Sequence, residues 1–235
     1  SKDGWWYYYL IVFMLKTSFA VLVLLLITFL FSQWLRKNLM SELFITIPVV
    51  LLMMFTMVST LTGGVRYILP IYPFLFVYIS KITNINFQKS QSFVRRGLVY
   101  MLVLLPVFCH LYGSFKIYPH YLSYFNIFAG GANNGYKCLT RANIDLGQDL
   151  KGLDGYLRKN NISRVKLSYW GFAPPEIYNI HNLPIEEADK EIPSQDVYAI
   201  SAHNIEEFKW TEEYKPSCKI GYSIFIYDFR FVNFM

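Results

Sequence analysis

Residues 118–150 read YPHYLSYFNIFAGGANNGYKCLTRANIDLGQDL and stand at the sharpest change of composition in the chain. Upstream, residues 5–115 are apolar with few charges; downstream, the residues to 235 have the mixture of an ordinary polar domain. The stretch begins aromatic, turns glycine- and asparagine-rich, and ends acidic, as expected of a chain leaving a membrane and entering a folded domain. A shift of this kind marks a domain boundary. The fold class it predicts is a multi-pass α-helical membrane region followed by a small α/β extracytoplasmic domain.

The composition agrees. The 235 residues are 54% hydrophobic and 19% aromatic, and only 16% are charged, against about 25% in a typical soluble domain. A net charge of +6 raises the question of nucleic acid. The basic residues flank the apolar runs and form no basic cluster interleaved with aromatics, so no nucleic-acid partner is expected. Three cysteines make no disulfide framework. Cys109 lies in an apolar run, and Cys138 and Cys218 fall in the polar half, where separate thiols are expected and pairing stays open.

A membrane span takes about 20 mostly apolar residues. Four runs are read as spans within a membrane region over 1–116: residues 18–35, 43–60 (with Pro48), 68–80 (short, with Pro70 and Pro73) and 98–115. Arg36, Lys37, Lys81, Lys89, Arg95 and Arg96 fall on one side. Only Lys16, Arg66 and Lys116 fall on the other. The first side is therefore cytoplasmic, and four crossings place the C-terminal domain outside. The aromatic segment from Trp5 to Phe13 reads as interfacial, along the outer surface. The opening SKDGWWYYY starts in mid-pattern, so a larger upstream portion is expected.

Residues 117–142 are read as a connecting segment and 143–235 as the outer domain. Ile144, Leu146, Leu150, Leu153 and Leu157 predict a helix to about Lys159, with Asn143 as N-cap and Asp145 and Asp149 near its positive end. Strands are predicted at 165–169, 197–201 and 220–227, and short helices at 174–180 and 204–210. This order suggests an α/β layer with some parallel pairing. No glycine-rich phosphate loop is present.

Arg66 is the sharpest candidate for chemistry. It follows Gly63 and Gly64 at the outer end of the third run, where a guanidinium is costly without a partner. A lipid phosphate suits its planar fork of donors; snorkelling to ordinary headgroups is the equal alternative. Lys16 can hold a phosphate as a point charge or serve as an interfacial anchor. Asp145, Gln148 and Asp149 invite an acid–base reading, against the stronger reading that they polarise a helix start. His120 and Tyr121 follow the fourth span and can face a cavity. The four histidines have no ligand spacing, so neither metal nor cofactor is expected.

Three segments together resemble the superfamily of dolichyl-phosphate-mannose protein mannosyltransferases and lipid A aminoarabinose transferases, the glycosyltransferase family 39-like enzymes. They are WWYYYLIVFMLKT with its Lys16-Thr17 pair, GGVRYILPIYPFLFVYIS, and the stretch at 118–150 with its N-x-D-x-G-Q-D-L motif. Leu146 stands where relatives usually carry Trp, and Thr140-Arg141 where they carry acidic residues or Ser.

The resemblance, which is to bacterial relatives, implies a partial GT-C fold in a bacterial inner membrane, with the C-terminal domain in the periplasm or outside, and an inverting transfer from a polyprenyl-phosphate-linked sugar donor to a protein, lipid or glycan acceptor. It implies that Arg66, Tyr67, Lys16, His120, Tyr121, Asp145, Gln148 and Asp149 line substrate. It also implies that the catalytic acid lies upstream, so this fragment alone is expected to be inactive. The alternative is a non-catalytic, membrane-anchored extracytoplasmic binding or assembly module.

Overall fold

The computed structural model describes residues 5–32, 38–59, 63–84 and 93–231. The chain divides into a helical unit of residues 1–119 with 125–129, and an α/β unit of residues 120–124 with 130–235. The segment read as a connector at 117–142 is thus shared between them. Arg36, Lys37 and Lys89, which carry part of the topology argument, lie outside the described residues.

The helical unit contains α1 (Tyr8–Lys16), α2 (Phe19–Leu30), α3 (Leu39–Val58), α4 (Ile71–Ser80) and α5 (Phe93–Ile117). Among the described residues, two helices are long and apolar enough to cross a membrane: α3, and α5 over Tyr100–Ile117. A third crossing results if α1 and α2, bent by 107°, form one span. Helix α4 is apolar but shorter. Outward apolar side chains such as Phe44 and Phe55 on α3 are 82% and 75% exposed, the surface that hydrocarbon would cover. The start of α3 is set by Asn38, whose side chain accepts from the Met40 N–H, a normal N-cap. An ion pair between Glu42 and Lys81 ties the first turn of α3 to the end of α4. Pro48 and Pro106 lie inside α3 and α5. The aromatic segment from Trp5 to Phe13 falls largely within α1, which continues to Lys16.

The α/β unit holds α6 (Leu150–Lys159), β1 (Val165–Ser168), β2 (Asn182–Leu183), α7 (Glu187–Glu191), β3 (Val197–Ser201), β4 (Cys218–Ile220) and β5 (Ile224–Asp228). The sheet order is β2-β1-β3-β5-β4. Strands β2, β1 and β3 are parallel, and β5 is antiparallel to both β3 and β4. Both faces are covered. Leu150, Leu153 and Leu157 of α6 pack on Val165, Leu167, Val197, Ala199, Ile224 and Ile226. On the other face, Trp210 meets Tyr198, Tyr227 and Phe229 at ring separations of 5.2, 5.0 and 5.2 Å. Strand β3 is therefore buried along its whole length, which explains why VYAIS reads as a continuous apolar run.

Three expectations shift. Helix α6 begins at Leu150, with a short 3-10 turn at Arg141–Asn143 where the N-cap was expected. Residues 144–149 form a loop closed by side chains, with Gly147 at φ +86°. The predicted strand at 220–227 is broken by a turn at 221–223, giving the β4–β5 hairpin. The expected helix at 204–210 is two 3-10 turns, Ile205–Glu207 and Lys209–Glu212. Cys138 is exposed, Cys218 is half-buried, and both are free thiols.

Candidate functional site

In the helical unit, the three segments singled out in the sequence meet. The last turn of α1 leaves carbonyls without helical partners, and Asn126 supplies donors. Its Nδ2 donates to the carbonyls of Met14 and Thr17, and its backbone N–H to Leu15. Asn126 is 3% exposed. Thr17 Oγ1 lies 2.8 Å from the Tyr72 hydroxyl, so the Lys16-Thr17 pair touches the segment at 63–80. Lys16 Nζ sits 3.9 Å from the centre of the Phe125 ring. At the other end of α1, buried Tyr9 meets Tyr67 at 6.3 Å between rings.

Arg66 lies beside Tyr67 on the 3-10 turn Val65–Tyr67, with its guanidinium 5.3 Å from the ring centre. Gly64 enters that turn at φ 78°, and the Tyr67 ring covers the place a side chain at Gly63 would take. Arg66 and Tyr67 are exposed, whereas Lys16 is 8% exposed. The seven-residue step from Tyr9 to Lys16 spans about 10 Å of helix. Arg66 and Lys16 therefore occupy opposite ends of α1 and do not converge on one point. Of the two, only Arg66 offers its charge at the surface.

In the α/β unit, the acidic motif is drawn to the sheet. Asp149 accepts from Ser223 Oγ at 2.7 Å through Oδ2, and its Oδ1 lies 3.1 Å from His120 Nδ1. Asp145 accepts from Ser201 Oγ through Oδ2 and from the Gly147 N–H at 2.8 Å through Oδ1. Both carboxylates are buried. Burial pushes the Asp145 carboxyl up; the hydrogen bonds from Ser201 and Gly147 oppose this, and the nearby Asp149 charge reinforces it. The two aspartates thus anchor the loop at 144–149 to the carboxyl end of β3 and the amino end of β5. Asp149 does stand at the N-cap position of α6, as a carboxylate near the helix start was expected to, but makes no side-chain cap bond there; Asp145 lies off the helix, in the loop.

Gln148 closes the same loop, accepting from the Leu146 N–H at 2.8 Å and donating to the Ile144 carbonyl at 2.9 Å. His120 also packs edge-on against Tyr222 at 5.7 Å, and Tyr121 is exposed. Sequence reasoning missed Asn126, Ser201 and Ser223. Ser201 ends a fully apolar strand and Ser223 follows Gly-Tyr, positions that announce a strand end but name no partner. Among the described residues, no three His, Cys, Asp or Glu side chains gather as a metal-binding group.

Comparison with known protein families, curated proteins and solved structures yields no match for this chain. A class of protein with membrane-type helices and a small mixed α/β unit is what the fold defines.

Proposed function

We propose that this chain is the C-terminal part of an integral-membrane glycosyltransferase that uses a polyprenyl-phosphate-linked sugar, with the α/β unit on the outer face of the membrane. The observation supporting this is the meeting of the Lys16-Thr17 pair, Tyr72 and Asn126 within one unit. These residues belong to the three separate segments that carry the sequence resemblance, and one structural element joins them. Arg66 is the group proposed to meet the donor phosphate, because it is a surface guanidinium on a glycine-entered turn at the end of an apolar segment. A guanidinium gripping a phosphate stabilises charge as it develops on the leaving group. Lys16, buried against the Phe125 ring, is given no part in holding that phosphate.

The test needs no catalysis. A short-chain polyprenyl phosphate and the matching polyprenol are titrated against the whole chain in lipid nanodiscs. The phosphate is expected to bind more tightly, with Arg66→Ala removing most of the difference. Equal binding of phosphate and alcohol, or an unchanged difference in Arg66→Ala, rejects the donor-site reading and leaves a membrane-anchored binding module in its place.

A further inference from the structure

Strands β1 and β2 end at an open cleft of about 340 Å³ in the α/β unit. In open sheets with parallel strands, ligands bind in the crevice beyond the carboxyl ends of those strands. The volume lies near the lower end of the range for small-molecule sites, about 300–1,000 Å³. The lining chemistry narrows the ligand.

Tyr169, Leu183 and Ile185 are among the lining residues, but the exposed surface of the cleft is mostly polar, and the half-buried Tyr169 ring packs on the core. The Tyr169 ring is held by a hydrogen bond from its hydroxyl to the Ala173 carbonyl. The lining also carries neutral donors and acceptors. Asn204 Nδ2 donates to Ser168 Oγ at 3.0 Å, which leaves the Asn204 amide oxygen and the Ser168 hydroxyl proton for a ligand. Asn182 Oδ1 accepts from the Leu167 N–H at 3.0 Å, which leaves its two Nδ2 protons.

The charged residues exclude two other ligand classes. Glu187 and Glu207 line the cleft with Lys190 between them, its Nζ 3.0 Å from Glu187 Oε1 and 3.6 Å from Glu207 Oε2. Two carboxylates against one ammonium leave a net negative cleft, which disfavours phosphates and nucleotides. The ammonium occupies the space between the carboxylates, which disfavours a metal ion. A ligand presenting neutral hydroxyls fits this lining.

We infer that this cleft binds a neutral saccharide of one or two pyranose rings, its hydroxyls on Asn182, Ser168, Asn204 and the two glutamates. The site rests on the α/β unit alone and stands whether or not the polyprenyl-phosphate reading does.

The experiment is saturation-transfer NMR on the whole chain in lipid nanodiscs, free of glycoside detergent. The probes are methyl α-mannopyranoside, methyl α-glucopyranoside and chitobiose, with glycerol and inorganic phosphate as controls. At least one saccharide is expected to receive saturation at its ring C–H protons well above glycerol. Asn204→Ala and Glu207→Ala are each expected to weaken binding by roughly five- to tenfold, the loss of about one hydrogen bond, with the unfolding midpoint kept. Asp154→Ala, outside the cleft on α6, leaves binding unchanged. No transfer above glycerol, stronger binding of phosphate, or unchanged affinity in both cleft variants overturns the assignment. If Asn204→Ala fails to fold, Glu207→Gln at the exposed rim decides by the same criterion.

Discussion

Ser223 Oγ donates a 2.7 Å hydrogen bond to Asp149 Oδ2, joining the start of β5 to the start of α6 across 74 positions of sequence. The same carboxylate faces His120 through its other oxygen, and Gly221 packs directly against it in a left-handed conformation, φ +56°. A methyl group at Gly221 would fall on the Asp149 carboxylate. Gly221→Ala is therefore expected to lower the unfolding free energy by roughly 2–3 kcal/mol, combining backbone strain with displacement of a buried charge. Gly131, also left-handed at φ +76° but with open space around it, supplies the control. Gly131→Ala should lose only about 1 kcal/mol. Equal losses in denaturant titrations of the two variants would show that the close approach to Asp149 carries no energy.

Asp145 makes a different prediction. Its folded carboxyl titrates above the ordinary range because it is buried, so its charge costs stability at neutral pH. That cost is relieved as pH falls through the raised folded value. An amide keeps the shape and can bond both partners: its oxygen accepts from Gly147, and its NH₂ donates to Ser201. Asp145→Asn is expected to be neutral or stabilising by up to about 1 kcal/mol at pH 7. Asp145→Ala strands the Gly147 N–H and the Ser201 hydroxyl and should lose about 1–3 kcal/mol. An Asn variant as unstable as the Ala variant would mean that the charge itself is needed.

The membrane character of the first half and strand β3 were legible because hydrophobic content alone reports them. Leu150, Leu153 and Leu157 carried the helical signal correctly, whereas Ile144 and Leu146 extended it falsely. Ile144 is buried for a reason unrelated to helical period, its carbonyl being held by Ser123 and Gln148; Leu146 is 38% exposed. Asp149 stands at the helix start as its position suggested, but its partner Ser223 and the partner of Asp145, Ser201, lie 74 and 56 residues away, and no local pattern encodes such pairings. Strand β2 and the cleft beside it were invisible for a similar reason: two residues, Asn182 and Leu183, make the strand, and only pairing with β1 defines it.

Lys166 and Asp189 form a nearly enclosed ion pair, with Nζ 2.7 and 2.8 Å from the two carboxylate oxygens. Tyr198 donates to the same carboxylate at 2.6 Å. Burial alone would raise the Asp189 carboxyl, but the bonds from Lys166, Tyr198 and the Glu186 N–H outweigh it and hold it below the usual range. The stability this contributes is present above the unfolded carboxylate value, about 4, and is lost as pH falls through the lower folded value. Removing the carboxylate leaves Lys166 with Asp196 at 3.3 Å. Asp189→Ala is expected to lose roughly 3 kcal/mol at pH 7 and to flatten the acid limb of a stability-against-pH curve. An acid limb unchanged in the variant assigns acid sensitivity to other carboxylates.

The bend between α1 and α2 rests on Asn126, which supplies donors to three carbonyls at the end of α1 and its linker, Met14, Leu15 and Thr17. Two of these donors are side-chain protons, so Asn126→Ala removes them and keeps the backbone bond to Leu15. With water excluded by the surrounding apolar side chains, each stranded carbonyl costs about 1–3 kcal/mol. The expected result is a loss of roughly 2–4 kcal/mol in unfolding free energy and faster amide exchange near Thr17 in nanodiscs. Asn126→Asp should do no better at neutral pH, because a carboxylate accepts where donors are required. Thr17→Ala, which removes only the contact to Tyr72, is expected to leave exchange at residues 13–16 as it was. If Asn126→Ala preserves both stability and exchange, the bend is set by the helices themselves, and the meeting of the three segments is its consequence and not its cause.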